Sequence, residues 1–321
     1  MSLGTFRYIL ALLVLMSHLW LQMPQGFAAY AVWGFFLLSG FLMTYVLSVK
    51  YKFSIKGISH YLYNRALRIY PLYWIAFIVG IIGMHYLDSI GSDYMLLNSG
   101  FGEPDSLYKW LCNIFLLPDY YFNNPVPVAN ALRIEVFYYF VVILFAYNKK
   151  YAWGGFGIGV IWNLYLLYQS HKYGNDTFPE RYATIGPCSI AFAAGSLLFH
   201  YKEHLMRFSN KYLSLLAWFG NGLIWFVLPN YPWSIGLYIS LGFSAWVVVS
   251  FYEERSSKID QLLGDLSYPI YLLHTTLGAI CVPIVGEFRT FTFMVIAALL
   301  THLMCLIFVW LIDQQIRKLK V

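Results

Sequence analysis

The side chains of this sequence that could do chemistry lie inside apolar stretches, where a charge is costly. Among its 21 basic and 15 acidic residues, Arg133 and Glu135 alone lie well inside such a stretch. A charge at the centre of a bilayer costs about 2.5–3.5 kcal/mol on insertion scales, so its presence needs a reason. The two residues point in different directions on a helix, and each is therefore expected to have a partner on another helix or in a wet cavity.

Histidine is the second chemical signal, because its unperturbed pKa of about 6.5 suits a general base. His18 follows Arg7 by eleven residues, about 16 Å along a helix, which puts it in the outer half of an apolar core about 30 Å thick. Glu135 comes out within about one helical turn of that depth, so depth permits a His18–Glu135 pair, although the sequence does not say whether their helices are adjacent. His274 and His302 come out in the inner half, and we expect neither to share a site with His18.

A pair of arginines is the third signal. Arg65 and Arg68 are three residues apart and therefore share one helix face. Guanidinium forks suit phosphate groups, so the pair is a candidate phosphate-binding element. The alternative is an anchor that binds lipid headgroups at the cytoplasmic surface.

The elements that must position these groups are membrane-spanning helices. The 321 residues are 60% hydrophobic and only 11% charged. That is less than half the charged share of a soluble domain, which excludes a water-soluble enzyme and a disordered chain. A span needs about 20 mostly apolar residues, and we predict an all-α polytopic membrane protein with about ten transmembrane helices. The ten stretches are 8–23, 29–48, 71–87, 129–147, 152–168, 183–200, 212–228, 232–251, 267–286 and 290–312.

The basic residues sort to one side of these spans. Sixteen of the 21 fall in segments on the same side as the N-terminus, and four fall on the other side. The positive-inside rule then places both termini in the cytoplasm and explains the net charge of +6 without nucleic acid as a partner. The stretch 88–128 becomes a long extracytoplasmic loop, which is either a lid or acceptor-binding element or a structural connector. The four cysteines form no CxxC pair and predict no metal site.

Four stretches match a known family in order along these spans, and a fifth matches more weakly. On these motifs the chain resembles the membrane-bound acyltransferase-3 family of bacterial O-acyltransferases over nearly its full length. The Trp usual at the start of the fourth motif is absent, with Asn130 near its place, which puts acceptor selectivity or local packing in question. The matching stretches are Arg7 with His18, the run 35–42 (FFLLSGFL), Arg65-x-x-Arg68 with Pro71, the run 132–138 (LRIEVFY) and, more weakly, the run 266–274 (LSYPIYLLH).

The resemblance implies a single integral-membrane acyltransferase domain over residues 1–321, in the bacterial cytoplasmic (inner) membrane. It implies an acyl-CoA donor, usually acetyl-CoA, that binds from the cytoplasm. The implied acceptor is a hydroxyl of a cell-surface glycan or lipid-linked sugar, so the function would be polysaccharide O-acetylation. No metal and no permanently bound cofactor is expected. The chain contacts membrane lipids, and a homo-oligomer or a glycan-assembly partner stays open.

The roles of the site residues follow from this resemblance together with their chemistry. Arg65 and Arg68 would bind the CoA phosphates, and His18 would be the base that takes the proton of the acceptor hydroxyl. Glu135 would orient the imidazole, as an acid does in a catalytic triad. Direct transfer and an acyl-histidine intermediate are both open. Candidates for stabilising the oxyanion are a backbone amide and the side chains of Arg7, Ser39 and Arg133.

Two other functions fit the same composition. A transporter or flippase for a lipid-linked saccharide, without acyl-transfer chemistry, would have this size and number of spans but would not require bound acyl-CoA. A non-catalytic membrane scaffold that partners a glycan polymerase would tolerate the loss of both His18 and Glu135.

Overall fold

The structure of the protein is a computed structural model that describes residues 2–24, 26–118, 123–228 and 230–320. These residues form helices and connecting turns, without a β-strand among them, so the predicted all-α class is confirmed. They pack as two compact units. The first unit holds residues 2–3, 29–62 and 134–255, and the second holds residues 4–28, 63–133 and 256–320.

The helices follow one another along the chain with short connections, apart from the longer stretches before and after α4. Three of them continue from or into a π-helical turn, at residues 46–51, 232–236 and 309–313. The α-helices are α1 (Leu3–Leu19), α2 (Phe27–Tyr45), α3 (Ile55–Ser89), α4 (Leu107–Ile114), α5 (Ala129–Tyr147), α6 (Lys149–Tyr173), α7 (Phe178–Ala183), α8 (Ile185–His200), α9 (Lys202–Leu205), α10 (Lys211–Val227), α11 (Leu237–Phe251), α12 (Lys258–Val285), α13 (Phe291–Phe308) and α14 (Gln314–Lys318).

Membrane-spanning character is visible in the length of the apolar helices. Each of the ten predicted stretches overlaps a helix, and α1 and α8 are apolar but shorter than a usual span. The count of ten spans and the cytoplasmic position of both termini stay predictions. Within the described parts of the chain, six helices are long and apolar enough to cross a membrane, namely Phe27–Tyr51, Ile55–Ser89, Ala129–Tyr147, Pro232–Phe251, Lys258–Val285 and Phe291–Lys318.

Small residues bring α2 and α8 together in the first unit. Gly195 of α8 lies directly against the Leu37 carbonyl of α2, and Gly40 of α2 lies against the backbone of Phe192 of α8. Lipid tails are as apolar as the helix surfaces, so helices in a membrane associate through close packing of this kind.

A Gly195→Ala substitution is expected to lower the melting temperature of the protein in detergent by about 3–10 °C. The added methyl group would overlap the Leu37 carbonyl oxygen, and overpacking costs about 1–3 kcal/mol. Gly154→Ala is the matched control, because this helix-interior glycine of α6 faces open space and gains the same helix propensity. If both variants melted at the same temperature, the close α2–α8 contact would be wrong.

In the second unit, α1 and α12 run side by side in the same direction. The Thr5 N–H and hydroxyl both donate to the Asp260 carboxylate, at 2.9 and 2.6 Å. Asp260 therefore satisfies one of the N–H groups that a helix N-terminus leaves open, and its negative charge suits that end of the helix dipole. Gly4 and Gly264 let the two backbones meet at this end. The contact sets the register between the two helices.

The predicted outer loop, residues 88–128, folds back along α3. Three aromatic side chains of α3, Tyr70, Tyr73 and Trp74, donate to the successive carbonyls of residues 113–115 at the end of α4, at 2.7–2.9 Å. Trp74 precedes the end of α3 by fifteen residues, about 22 Å along the helix. These donors satisfy carbonyls that a helix end leaves open. The extracytoplasmic position of the loop stays a prediction, and its residues 119–122 lie outside the described residues.

Candidate functional site

Two histidines of the second unit meet near the end of α1. His18 Nδ1 and His274 Nε2 are 2.8 Å apart, and the ring planes are within 6° of each other with centroids 5.1 Å apart. That centroid separation is about the nitrogen–nitrogen distance plus the two ring radii, so the rings are coplanar and the nitrogens point straight at each other. His274 is 0% exposed, whereas His18 is half-buried. We call these two residues the histidine pair.

The prediction that His274 lies too deep to share a site with His18 is wrong. Helix α12 begins at Lys258, nine residues before the predicted span, so His274 is sixteen residues into the helix. The contact between Thr5 and Asp260 sets α1 and α12 in register. Thirteen residues further along α1, and fourteen along α12, the two histidines arrive at one level, about 20 Å away.

The two tyrosines of the motif LSYPIYLLH, residues 266–274, donate hydrogen bonds to backbone carbonyls of neighbouring segments. Tyr268 donates to the Ile69 carbonyl of α3 at 2.8 Å, and Tyr271 donates to the Val128 carbonyl at the start of α5 at 2.7 Å. These bonds hold α3 and the beginning of α5 against the helix that carries His274. The fifth motif, the weakest match, therefore positions the helices around His274.

A cation that sequence reasoning missed lies beside His18. Arg289, in the turn between α12 and α13, donates from Nη2 to the Ser17 carbonyl at 3.1 Å, and its own carbonyl accepts from the Leu21 N–H at 2.9 Å. Its φ of 58° is uncommon for a residue with a side chain. Its guanidinium acts electrostatically on His18, and its Nε is buried with no hydrogen-bond partner in the described parts of the chain. No spacing in the sequence marks this residue.

Glu135 belongs to a separate cluster in the first unit. Its Oε1 accepts from the Ser39 hydroxyl of α2 at 2.9 Å and from the Tyr139 hydroxyl at 3.2 Å, which confirms the expected partner on another helix. Both Ser39 and Glu135 are half-buried. His18 lies in the other unit, so the predicted His18–Glu135 pair stays a prediction. The Nδ1 position of His18, where a carboxylate would orient the ring, is occupied by His274.

A cavity of about 340 Å³ opens at the Arg7 end of α1 in the second unit, and we call it the basic cavity. Arg317 binds two of its carboxylates, at 2.5 and 2.7 Å, yet cations outnumber acids on its walls. Arg7 precedes His18 by about 16 Å along α1, so the structure groups it with Arg68. The charged residues that line the cavity are Arg7, Arg68, Arg317, Lys320, Asp265 and Asp313.

The charge on Lys320 responds to the other cations of this cluster. Partial burial lowers the pKa of its ammonium group, Asp313 opposes this, and Arg68, Arg317 and Arg65 lower the pKa further. Arg65 therefore acts on the same region as Arg68. A bound anion would relieve the repulsion among these groups. The predicted phosphate-binding pair thus lies where positive charge accumulates.

Two further membrane residues have partners on other helices. Arg133 of α5 donates from Nη2 to Asn113 Oδ1 of α4 at 2.9 Å, which confirms the expectation for its charge. His302 Nε2 of α13 lies 2.8 Å from the Tyr8 hydroxyl of α1. His302 is thus engaged near the Arg7 end of α1, away from the histidine pair.

One comparison with known proteins gives a match. A family model described as an acyltransferase domain covers residues 2–312, nearly the whole chain. No curated protein and no solved structure matches this chain. The five motifs lie within the matched range, whereas Arg317 and Lys320 of the basic cavity lie beyond it.

Proposed function

Because this chain belongs to the acyltransferase-3 family, we propose that it is a membrane O-acyltransferase that moves an acyl group, most simply acetyl, from acyl-CoA to a hydroxyl of a cell-surface glycan or lipid-linked sugar. A membrane acyltransferase is what the family and the apolar helices support. The donor, the acceptor and the site residues are our proposal. One observation carries it: α1 bears both the basic cavity, at Arg7, and the half-buried His18.

The basic cavity is the proposed site for the CoA phosphates. Its excess of cations favours a polyanion, and guanidinium forks bind phosphate oxygens in pairs. The predicted orientation puts this end of α1 in the cytoplasm, where acyl-CoA is made. The pantetheine arm would then follow α1 towards the histidine pair, about 16 Å away.

The proposed chemistry is general-base transfer at His18. Its imidazole takes the proton of the acceptor hydroxyl, and the hydroxyl oxygen bonds to the thioester carbonyl carbon. The Arg289 guanidinium stabilises the oxyanion that forms. The carbon–sulfur bond then breaks, and the CoA thiolate takes the proton back from the imidazolium, which yields an ester and CoA thiol.

The test uses purified protein in lipid nanodiscs with acetyl-CoA labelled in the acetyl group and a lipid-linked oligosaccharide. The expected result is a labelled ester, labile to mild base, with one CoA thiol released for each ester formed. A protein that binds no acyl-CoA, but moves a lipid-linked saccharide across a liposome bilayer, would make the transporter reading correct instead.

A further inference from the structure

We propose that His274 is a positioning residue that fixes the tautomer of His18, so that His18 Nε2 carries the lone pair used as the base. The kinetic half of this inference rests on the proposed function. The assignment of the tautomer rests only on the two hydrogen bonds of the His274 ring.

The tautomers follow from the partners of His274. Its Nδ1 lies 3.0 Å from the carbonyl oxygen of Ile270, and a carbonyl oxygen only accepts hydrogen bonds. His274 Nδ1 must therefore carry a proton. His274 is 0% exposed, and its hydrogen-bond partners among the described residues include no carboxylate. An imidazolium at this position would be a buried charge, so the ring is neutral and its Nε2 is an acceptor.

The proton between the two rings therefore belongs to His18. His274 Nε2 accepts across the 2.8 Å separation, so His18 Nδ1 is the donor. A neutral imidazole carries one proton, which leaves His18 Nε2 with a free lone pair. Without His274, both tautomers of His18 would be populated, and the one with a proton on Nε2 could not act as a base through that nitrogen.

Burial separates the roles of the two rings. His274 is enclosed and has both ring nitrogens occupied, so it acts only through His18. His18 is half-buried and has one nitrogen left over. The arrangement does for this histidine what a buried carboxylate does for the histidine of a serine protease triad, with a neutral acceptor in place of a charge.

Nitrogen-15 NMR of the histidine-labelled protein in nanodiscs measures the tautomer directly. The chain has 8 histidines, and the signals of His18 are those lost in His18→Gln. One-bond correlations to carbon distinguish the two nitrogens, because Nδ1 is bonded to Cγ and Nε2 to Cδ2. We expect a protonated Nδ1 and an unprotonated Nε2 at neutral pH. The opposite pattern overturns the proposal.

Two variants give the matched kinetic test. His274→Gln keeps an amide oxygen near the position of Nε2, whereas His274→Asn is too short to accept from His18. We expect His274→Asn to reduce kcat by about 100-fold, because the His18 ring loses its fixed orientation as well as its single tautomer; a general base contributes about 100- to 10,000-fold. His274→Gln should stay within about 10-fold of the wild type, and the KM for acetyl-CoA should be unchanged in both.

The outcomes separate this inference from the proposed function. Equal loss in the two variants, or loss through KM alone, would mean that the acceptor at Nε2 does not set the base, and the proposal fails. If the wild-type protein forms no ester, the proposed function fails, and the NMR pattern still decides the tautomer. Variants that do not fold leave the wild-type NMR spectrum as the deciding measurement.

Discussion

Replacing His18 by glutamine is expected to reduce kcat for acyl transfer by about 100- to 10,000-fold, the range that a general base contributes. Glutamine fills similar space, but it has no basic nitrogen. The KM for acetyl-CoA should change little, because the donor phosphates bind at the basic cavity about 16 Å away. Initial rates of ester formation in nanodiscs, at several donor concentrations, measure both constants.

His302→Gln is the matched control for this experiment. His302 is also a half-buried histidine in a membrane helix of the second unit, and its partner is the Tyr8 hydroxyl. It should keep near wild-type activity with a similar melting temperature. Full activity of a folded His18→Gln protein would remove His18 as the base.

The double variant Arg65→Gln, Arg68→Gln is expected to raise the KM for acetyl-CoA by about 100- to 10,000-fold with kcat nearly unchanged. Hydrogen bonds to charged groups contribute about 1.5–3 kcal/mol each, and the loss of binding shared by ground and transition states appears in KM. Rates over a wide range of acetyl-CoA concentration separate the two constants. The wild-type KM should itself rise with salt, because ions screen the cavity.

Lys149→Gln, Lys150→Gln is the control for the loss of two positive charges. Both lysines are exposed on α6 and are predicted to lie on the cytoplasmic side. This variant should leave the KM unchanged. If the arginine variant also leaves it unchanged and alters only membrane insertion or stability, the arginines anchor lipid headgroups, and the phosphate role is wrong.

Much of the fold is readable from hydropathy, because a chain in lipid must satisfy its backbone within helices. Each of the ten predicted stretches overlaps a helix. Hydropathy does not predict the course of the chain where side-chain hydrogen bonds to the backbone determine it. The segment after α3 returns along that helix because Tyr70, Tyr73 and Trp74 donate to carbonyls of α4. Such bonds join residues about 40 positions apart and leave no period in the sequence.

The sequence by itself determined the helical class, the family and the residues of the arginine pair and of His18, because composition and short motifs carry that information locally. The tertiary structure alone decided that His274 is the partner of His18, and that Arg317 and Lys320 join Arg68. Those contacts depend on the register of α1 against α12 and on where the C-terminal helix packs. The hydrogen bond from Thr5 to Asp260 and the close approach of Gly4 and Gly264 set that register. An estimate of depth made for each span separately cannot predict it.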